Sequence, residues 1–178
     1  MAVIEAIAST YLEATSAAVV FTGIPQTYEH LQLRVSARDD GAGSDYSEVT
    51  LRFGPVSGSI DSNNNYYHAE MRGYSTTTSA EANTGTHRLR MTFIAAPNDD
   101  SAQFGGGTID IFDYASATKM TTVCWYGGNA HAPTYQWLAW GSGLWVGTGA
   151  IDQISVAGYA HGSLLRGSEF TLYGLNSA

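Results

Sequence analysis

The residues best suited to chemistry in this chain are aromatic. Trp125, Tyr126, Tyr135, Trp137, Trp140 and Trp145 fall within 21 positions, among glycines, Asn129 and His131. An indole or phenol beside polar groups can stack on a sugar or anchor a protein partner. The same rings can also fill a core between glycine-rich turns. Three readings of the set stay open: core, protein interface and glycan platform.

Other candidates carry less. Asp61-Ser-Asn-Asn-Asn65 begins like a calcium loop, but Tyr66 stands where the sharp turn needs glycine and Arg72 where a bidentate Glu belongs. Asp39, Asp40 and Asp45 form a second acidic loop, and Asn98-Asp99-Asp100 a third. Asn and Asp favour turns because they bond their own backbone, so turn chemistry is expected for all three and no metal or cofactor is assigned. The five histidines (His30, His68, His87, His131, His161) show no zinc-like spacing and read as surface or strand residues. Asp110 and Asp113 lie an odd number of residues apart on one strand, which puts them on opposite faces and makes a poor acid/base pair. Gly105-Gly-Gly107 precedes a strand and not a helix, so it lacks the terminus a phosphate loop uses. No nucleophile elbow occurs, and Cys124, between Val123 and Trp125, reads as a small buried hydrophobe. The chain is therefore expected not to be an enzyme.

Composition narrows the field. The chain has 178 residues, enough to build a core without metal or disulfide help. Charged residues make up 13%, against about 25% in ordinary globular proteins. A glycine- and hydroxyl-rich, charge-poor surface suits a protein that packs into an assembly. Net charge is −8, with one lysine and seven arginines, which argues against a nucleic-acid partner. A single cysteine forbids an internal disulfide. No apolar run nears the roughly 20 residues of a membrane helix. The first residues lack a cationic segment, so no signal peptide is expected.

The elements that must position these residues are strands. Gly107 to Gly128 reads as a β-hairpin, with arms Gly107–Tyr114 and Met120–Tyr126 joined by Ala115–Lys119, too short a link for anything but antiparallel neighbours. Leu31–Arg38 alternates cleanly, with Leu31, Leu33, Val35 and Ala37 on one face. Val49, Leu51 and Phe53 do the same in Glu48–Phe53, as do Leu89, Met91 and Phe93 in His87–Ala95. Further strands are expected at Ala2–Ala8, Ala18–Phe21, Tyr66–Tyr74, Tyr135–Trp140, Ala150–Val156 and Ser168–Leu175, with a short extended piece at Leu144–Val146. Tyr11–Ala18 could form a helical turn, and Ser75–Thr86, without a large apolar residue, an exposed connection. The expected fold is all-β: one domain over 1–178, an antiparallel jelly-roll-like β-sandwich, with a β-barrel as the alternative. Residues 1–8 serve as either a first strand or a docking arm.

Several segments resemble a family of tailed-bacteriophage virion structural proteins. Phe21-Thr-Gly-Ile-Pro25 and Tyr28-Glu-His-Leu-Gln-Leu-Arg34 are similar to its opening. Thr108-Ile-Asp-Ile-Phe-Asp-Tyr-Ala-Ser116 with Lys119, then Trp145, Thr148-Gly-Ala-Ile-Asp-Gln-Ile154 and Gly167-Ser-Glu-Phe-Thr-Leu-Tyr-Gly-Leu175, are similar to its later half. The resemblance implies a non-enzymatic β-sandwich located on the virion. It would be a capsid decoration or cement protein, or a tail or head fibre module that binds a receptor or glycan. No shaft or coiled coil precedes the motif here, which favours the decoration protein. The implied partners are the major capsid protein or other virion proteins and further copies of the chain as a dimer or trimer, with a host-surface glycan in the fibre reading.

Overall fold

The computed structural model describes residues 3–41, 46–131, 135–159 and 162–177. Its strands are β1 (Val3–Tyr11), β2 (Val19–Thr22), β3 (His30–Ala37), β4 (Ser47–Pro55), β5 (Tyr66–Tyr74), β6 (Thr77–Thr86), β7 (Leu89–Ile94), β8 (Gly105–Phe112), β9 (Thr121–His131), β10 (Tyr135–Trp145), β11 (Ile151–Gly158) and β12 (Glu169–Asn176). They make two antiparallel sheets. One has eight strands in the order β1-β12-β3-β8-β9-β10-β5-β6; the other has four, β2-β11-β4-β7. Neither sheet closes, so the fold is a sandwich and not the barrel. The chain passes repeatedly from one layer to the other, wrapping as a jelly roll does.

The alternating strands supply the core. Leu31, Leu33, Val35 and Ala37 of β3 point inward, as predicted, and meet Val49, Leu51 and Phe53 of β4 and Ile154 and Val156 of β11. Each large side chain buried there is worth about 1.5–3 kcal/mol relative to exposure. The expected hairpin forms from β8 and β9, with Ile109 opposite Trp125 and Ile111 opposite Val123. Its loop is less simple than the sequence suggests. Asp113 adopts φ 54°, and Tyr114 is buried, its hydroxyl donating to the Pro25 carbonyl.

Four sequence expectations change, and one alternative is resolved. Residues 75–86 are not a loose connection: a two-residue link, with Ser75 at φ 50°, turns β5 into β6. No helical turn forms at 11–18; Tyr11 ends β1, and Ser16 bridges to Leu164. The pieces at Tyr135–Trp140 and Leu144–Val146 merge into one strand, β10. Gly105–Gly107 is not loop but the start of β8. Of the two roles for the N-terminus, residues 3–11 form the first strand, paired with β12.

Glycine in these strands marks close approach. Gly141 lies opposite Trp125, and a Cβ at Gly141 would strike that indole ring. A Cβ at Gly127 would strike Thr92 of β7 and the backbone of Gly106 and Gly107. The small sheet thus sits hard against the large one at Gly105 and along the glycine pair Gly107–Gly127.

Candidate functional site

The structure divides the six aromatic candidates. Trp125 and Trp145 are 1% and 3% exposed and belong to the core. Trp137 also faces inward, its ring centroid 4.1 Å from those of Tyr46 and Tyr74 and 5.1 Å from that of Phe93. Tyr135 opens β10, but its side chain lies outside the described residues. Only Tyr126 (58% exposed) and Trp140 (67%) stand free, and the sheet register places them side by side.

Those two belong to a larger surface. One row across the sheet runs Tyr126, Trp140, Met71, Ala80. The next row holds Cys124, Ser142, Ala69 and Ala82. Leu138, Leu144 and Tyr67 flank these rows, and Leu138 and Met71 are 60% and 63% exposed. No outward position of β9 (Thr122–Ala130), β10 (Gln136–Leu144), β5 (Tyr67–Gly73) or β6 (Thr78–Thr84) carries a charge. A depression of about 600 Å³ sits in the middle, lined by Ala69, Met71, Ala80, Ala82, Cys124 and Trp140. Cys124 is therefore not the buried residue expected; it is half-exposed on this face. Four strands about 4.8 Å apart and about nine residues long project roughly 600 Å². That approaches the roughly 800 Å² that each partner contributes to a standard interface.

Behind this face the usual polarity is reversed. In β5, Tyr67, Ala69 and Met71 point out, while His68, Glu70 and Arg72 point in. In β6, Ala80 and Ala82 point out, and Glu81 and Asn83 turn in. The inward groups meet Glu48 of β4 and Arg90 of β7. Arg72 lies 2.7 Å from Glu48, 3.0 Å from Glu81 and against Glu70. Arg90 lies 2.8 Å from Glu48 and 2.9 Å from Glu81.

Burial pushes the Glu48 and Glu70 carboxyls above the usual range, although the two guanidinium groups pull the other way. At Glu81 burial acts in the same sense, but the hydrogen bond from Asn83 and the two arginines outweigh it, and its carboxyl is held low. The imidazole of His68, buried and beside Arg90 and Arg72, is lowered to about 4 and is neutral near pH 7. Its Nε2 lies 3.2 Å from the Asn83 amide, while its Nδ1 and the Glu70 Oε2 have no hydrogen-bond partner. This network ties two strands of one sheet to two of the other. Such a buried network specifies an arrangement more surely than it stabilises one.

The remaining candidates are structural. Asp61 organises a turn: its carboxylate accepts from Asn63, Asn65 and the Trp145 indole N–H, the last at 2.8 Å. Those donors outweigh the effect of burial and hold its carboxyl low. Asp39 is buried, accepts from Ser47 and Gly41, and burial raises its carboxyl. Asp40 accepts from the Ser163 N–H, and Asp99 from Ala96 and Asn129. Asp45, His161 and the side chain of His131 lie outside the described residues. Asp110 bonds Gln32 and Asp113 pairs with Lys119, so the two do not act together. His30 accepts the Asp113 N–H, and His87 is exposed. His68 departs from expectation by being buried inside the ion network. Among the described residues no three or more His, Cys, Asp or Glu side chains are grouped to hold a metal.

Met71, Leu138, Tyr67 and the Glu48–Glu70–Arg72–Arg90 network were not singled out from the sequence. Their signal was present in the alternation of Tyr66–Tyr74, where the charged set and the apolar set share the strand equally. Which set faces the core depends on β6, itself hidden by its small, polar composition. No known protein family matches the chain, and no curated protein is significantly similar to it.

Proposed function

We propose that this protein is a non-enzymatic structural component of a tailed-bacteriophage virion, a decoration or cement protein that oligomerises on the head and reinforces contacts between major capsid subunits. The uncharged outer face of β9, β10, β5 and β6 carries the reading. Exposed apolar patches on monomers rarely exceed a few hundred Å², and larger ones mark interaction sites. In a chain of net charge −8, a wide face without a single charged side chain is suited to burial. The segments that resemble virion proteins fall on β2, β3, β8, β11 and β12 and their loops and on Trp145 of β10, in both sheets.

Co-sedimentation with expanded phage capsids, together with light scattering of the free protein, tests this. Leu138→Asp with Trp140→Asp should lower capsid binding at least about tenfold and leave the fold intact, because both side chains project outward. A wild-type protein that stays strictly monomeric and does not bind expanded capsids refutes the reading.

A second reading is a fibre-type module that binds a host glycan. It is favoured by the adjacent exposed rings of Trp140 and Tyr126, which sit near Ser142 and Gln136 on the same face. Here Trp140→Ala and Tyr126→Ala should abolish binding on a glycan array or adsorption to host cells. Unchanged binding by both variants removes it.

A further inference from the structure

The arginines of this chain are accounted for with one exception. Arg38 donates to the carbonyls of Pro97, Asp99, Asp100 and Gln103. Arg72 and Arg90 serve the ion network, Arg166 pairs with Glu13, and Arg34 bonds Gln32. Arg52 donates to the His87 carbonyl at 3.1 Å. The Arg88 side chain has no hydrogen-bond or ion-pair partner among the described residues, and its Nε is buried without an acceptor. Its guanidinium lies 4.9 Å from the Tyr159 ring centroid, which Arg90 also approaches, at 4.1 Å.

The setting is concave, with the Asp40 carboxylate held by the Ser163 N–H at its rim. Arg88 lines two neighbouring depressions, one of about 350 Å³ on the four-stranded sheet and one of about 240 Å³ where that sheet meets β6. The first is also lined by Arg52, Thr50, Ser155 and Ser163, the second by Arg90, His87, Asn64 and Asn83. Aspartate and glutamate outnumber lysine and arginine 16 to 8 in the chain, yet none lines either depression. Arg52 and Arg88 line the first depression together, and burial, then the charge of Arg52, lower the pKa of Arg88. Two like charges held together, one with a buried unused donor, cost free energy that an oxyanion would recover. A guanidinium presents paired donors that fit a carboxylate or phosphate at two points.

We infer that this groove on the outer face of the small sheet, bounded by Arg52 and Arg88, binds an oxyanion, the carboxylate, sulfate or phosphate group of a small ligand. Arg88 is the principal contact, and Arg52 closes the other side. The hydroxyl of Ser155 and the amide of Asn64 stand nearby for the rest of the ligand. The groove lies on the layer opposite the apolar face and stands independently of what docks there.

The test is an NMR titration of the arginine Nε–H signals with sodium phosphate, sodium sulfate and sodium glucuronate, each against chloride at matched ionic strength. The Arg88 signal should move saturably with at least one of them, and the one that saturates first distinguishes phosphate, sulfate and carboxylate ligands. Arg88→Gln should weaken binding about tenfold or more, the loss of a charge-assisted hydrogen bond. Arg52→Gln should weaken it less, and Lys119→Gln, remote and exposed, not at all. Thermal unfolding of each variant verifies that it is folded. Shifts that never saturate and match chloride, or a folded Arg88→Gln protein that binds as wild type does, overturn the site.

Discussion

Trp137 and Trp140 stand three residues apart on β10 and therefore on opposite faces, and truncating each should read out differently. Trp137 is packed among Tyr46, Tyr74 and Phe93, so Trp137→Ala should cost about 3–5 kcal/mol in urea denaturation. Trp140→Ala removes an exposed ring and should change stability by no more than about 0.5 kcal/mol. Equal losses would mean the strand is placed the other way round. His68 makes a second prediction. Its folded pKa of about 4 lies below the unfolded value of 6.5, so the unfolded chain takes the proton first. Stability from this residue is present above pH 6.5 and is lost as pH falls toward 4, by up to about 1.4 kcal/mol per pH unit. Glu48 and Glu70 act in the opposite sense. Their raised values give stability that is present below the unfolded 4.5 and lost as pH rises through the folded pKa. In His68→Gln the urea midpoint at pH 4.5 should therefore rise relative to that at pH 6.5 when compared with wild type; an unchanged difference would show that His68 does not carry it.

At the scale of elements, the close glycines make a sharper test than any loop. Gly127→Ala drives a Cβ into Thr92 and the Gly106–Gly107 backbone, where nothing can yield without moving a strand, and should cost about 1–3 kcal/mol. Gly73→Ala meets only Leu138 Cβ at 3.6 Å and should be neutral in thermal unfolding. The same glycines explain which elements were legible. Strands β3 and β4 announce themselves because apolar and polar residues alternate and the apolar set faces the core. Strand β8 begins unannounced, because Gly105–Gly107 is there to admit β7 and not to favour extended backbone. Strand β6 has no large apolar side chain to give, being an edge whose outward face is alanine and threonine. Strand β10 reads as two pieces because Gly141 and Gly143 interrupt its pattern, although each is the floor for a side chain from elsewhere, Trp125 and Leu89.

Over the whole molecule, the architecture was readable because it follows from periodicity, and the candidate surface was not because it follows from pairing. The aromatic stretch pointed to the right strands, but only the register shows that Trp140 and Tyr126 face solvent while Trp125, Trp137 and Trp145 do not. Met71 and Ala80 complete the surface from strands far away in sequence. The two layers divide the labour: the eight-stranded sheet carries an apolar, chargeless face, and the four-stranded sheet carries the arginine groove.

The reversed polarity of β5 and β6 has a consequence for how the chain finds its pairing. By hydrophobicity alone, a one-residue slip would hide Tyr67, Ala69 and Met71 and send His68, Glu70 and Arg72 into water, giving a more soluble monomer. Glu48 and Arg90 oppose that outcome, since the slip would take Arg72 away from Glu48 and Glu81 away from Arg90. The buried charges thus work as a lock against the slipped register, keeping the apolar set of β5 on the outer face.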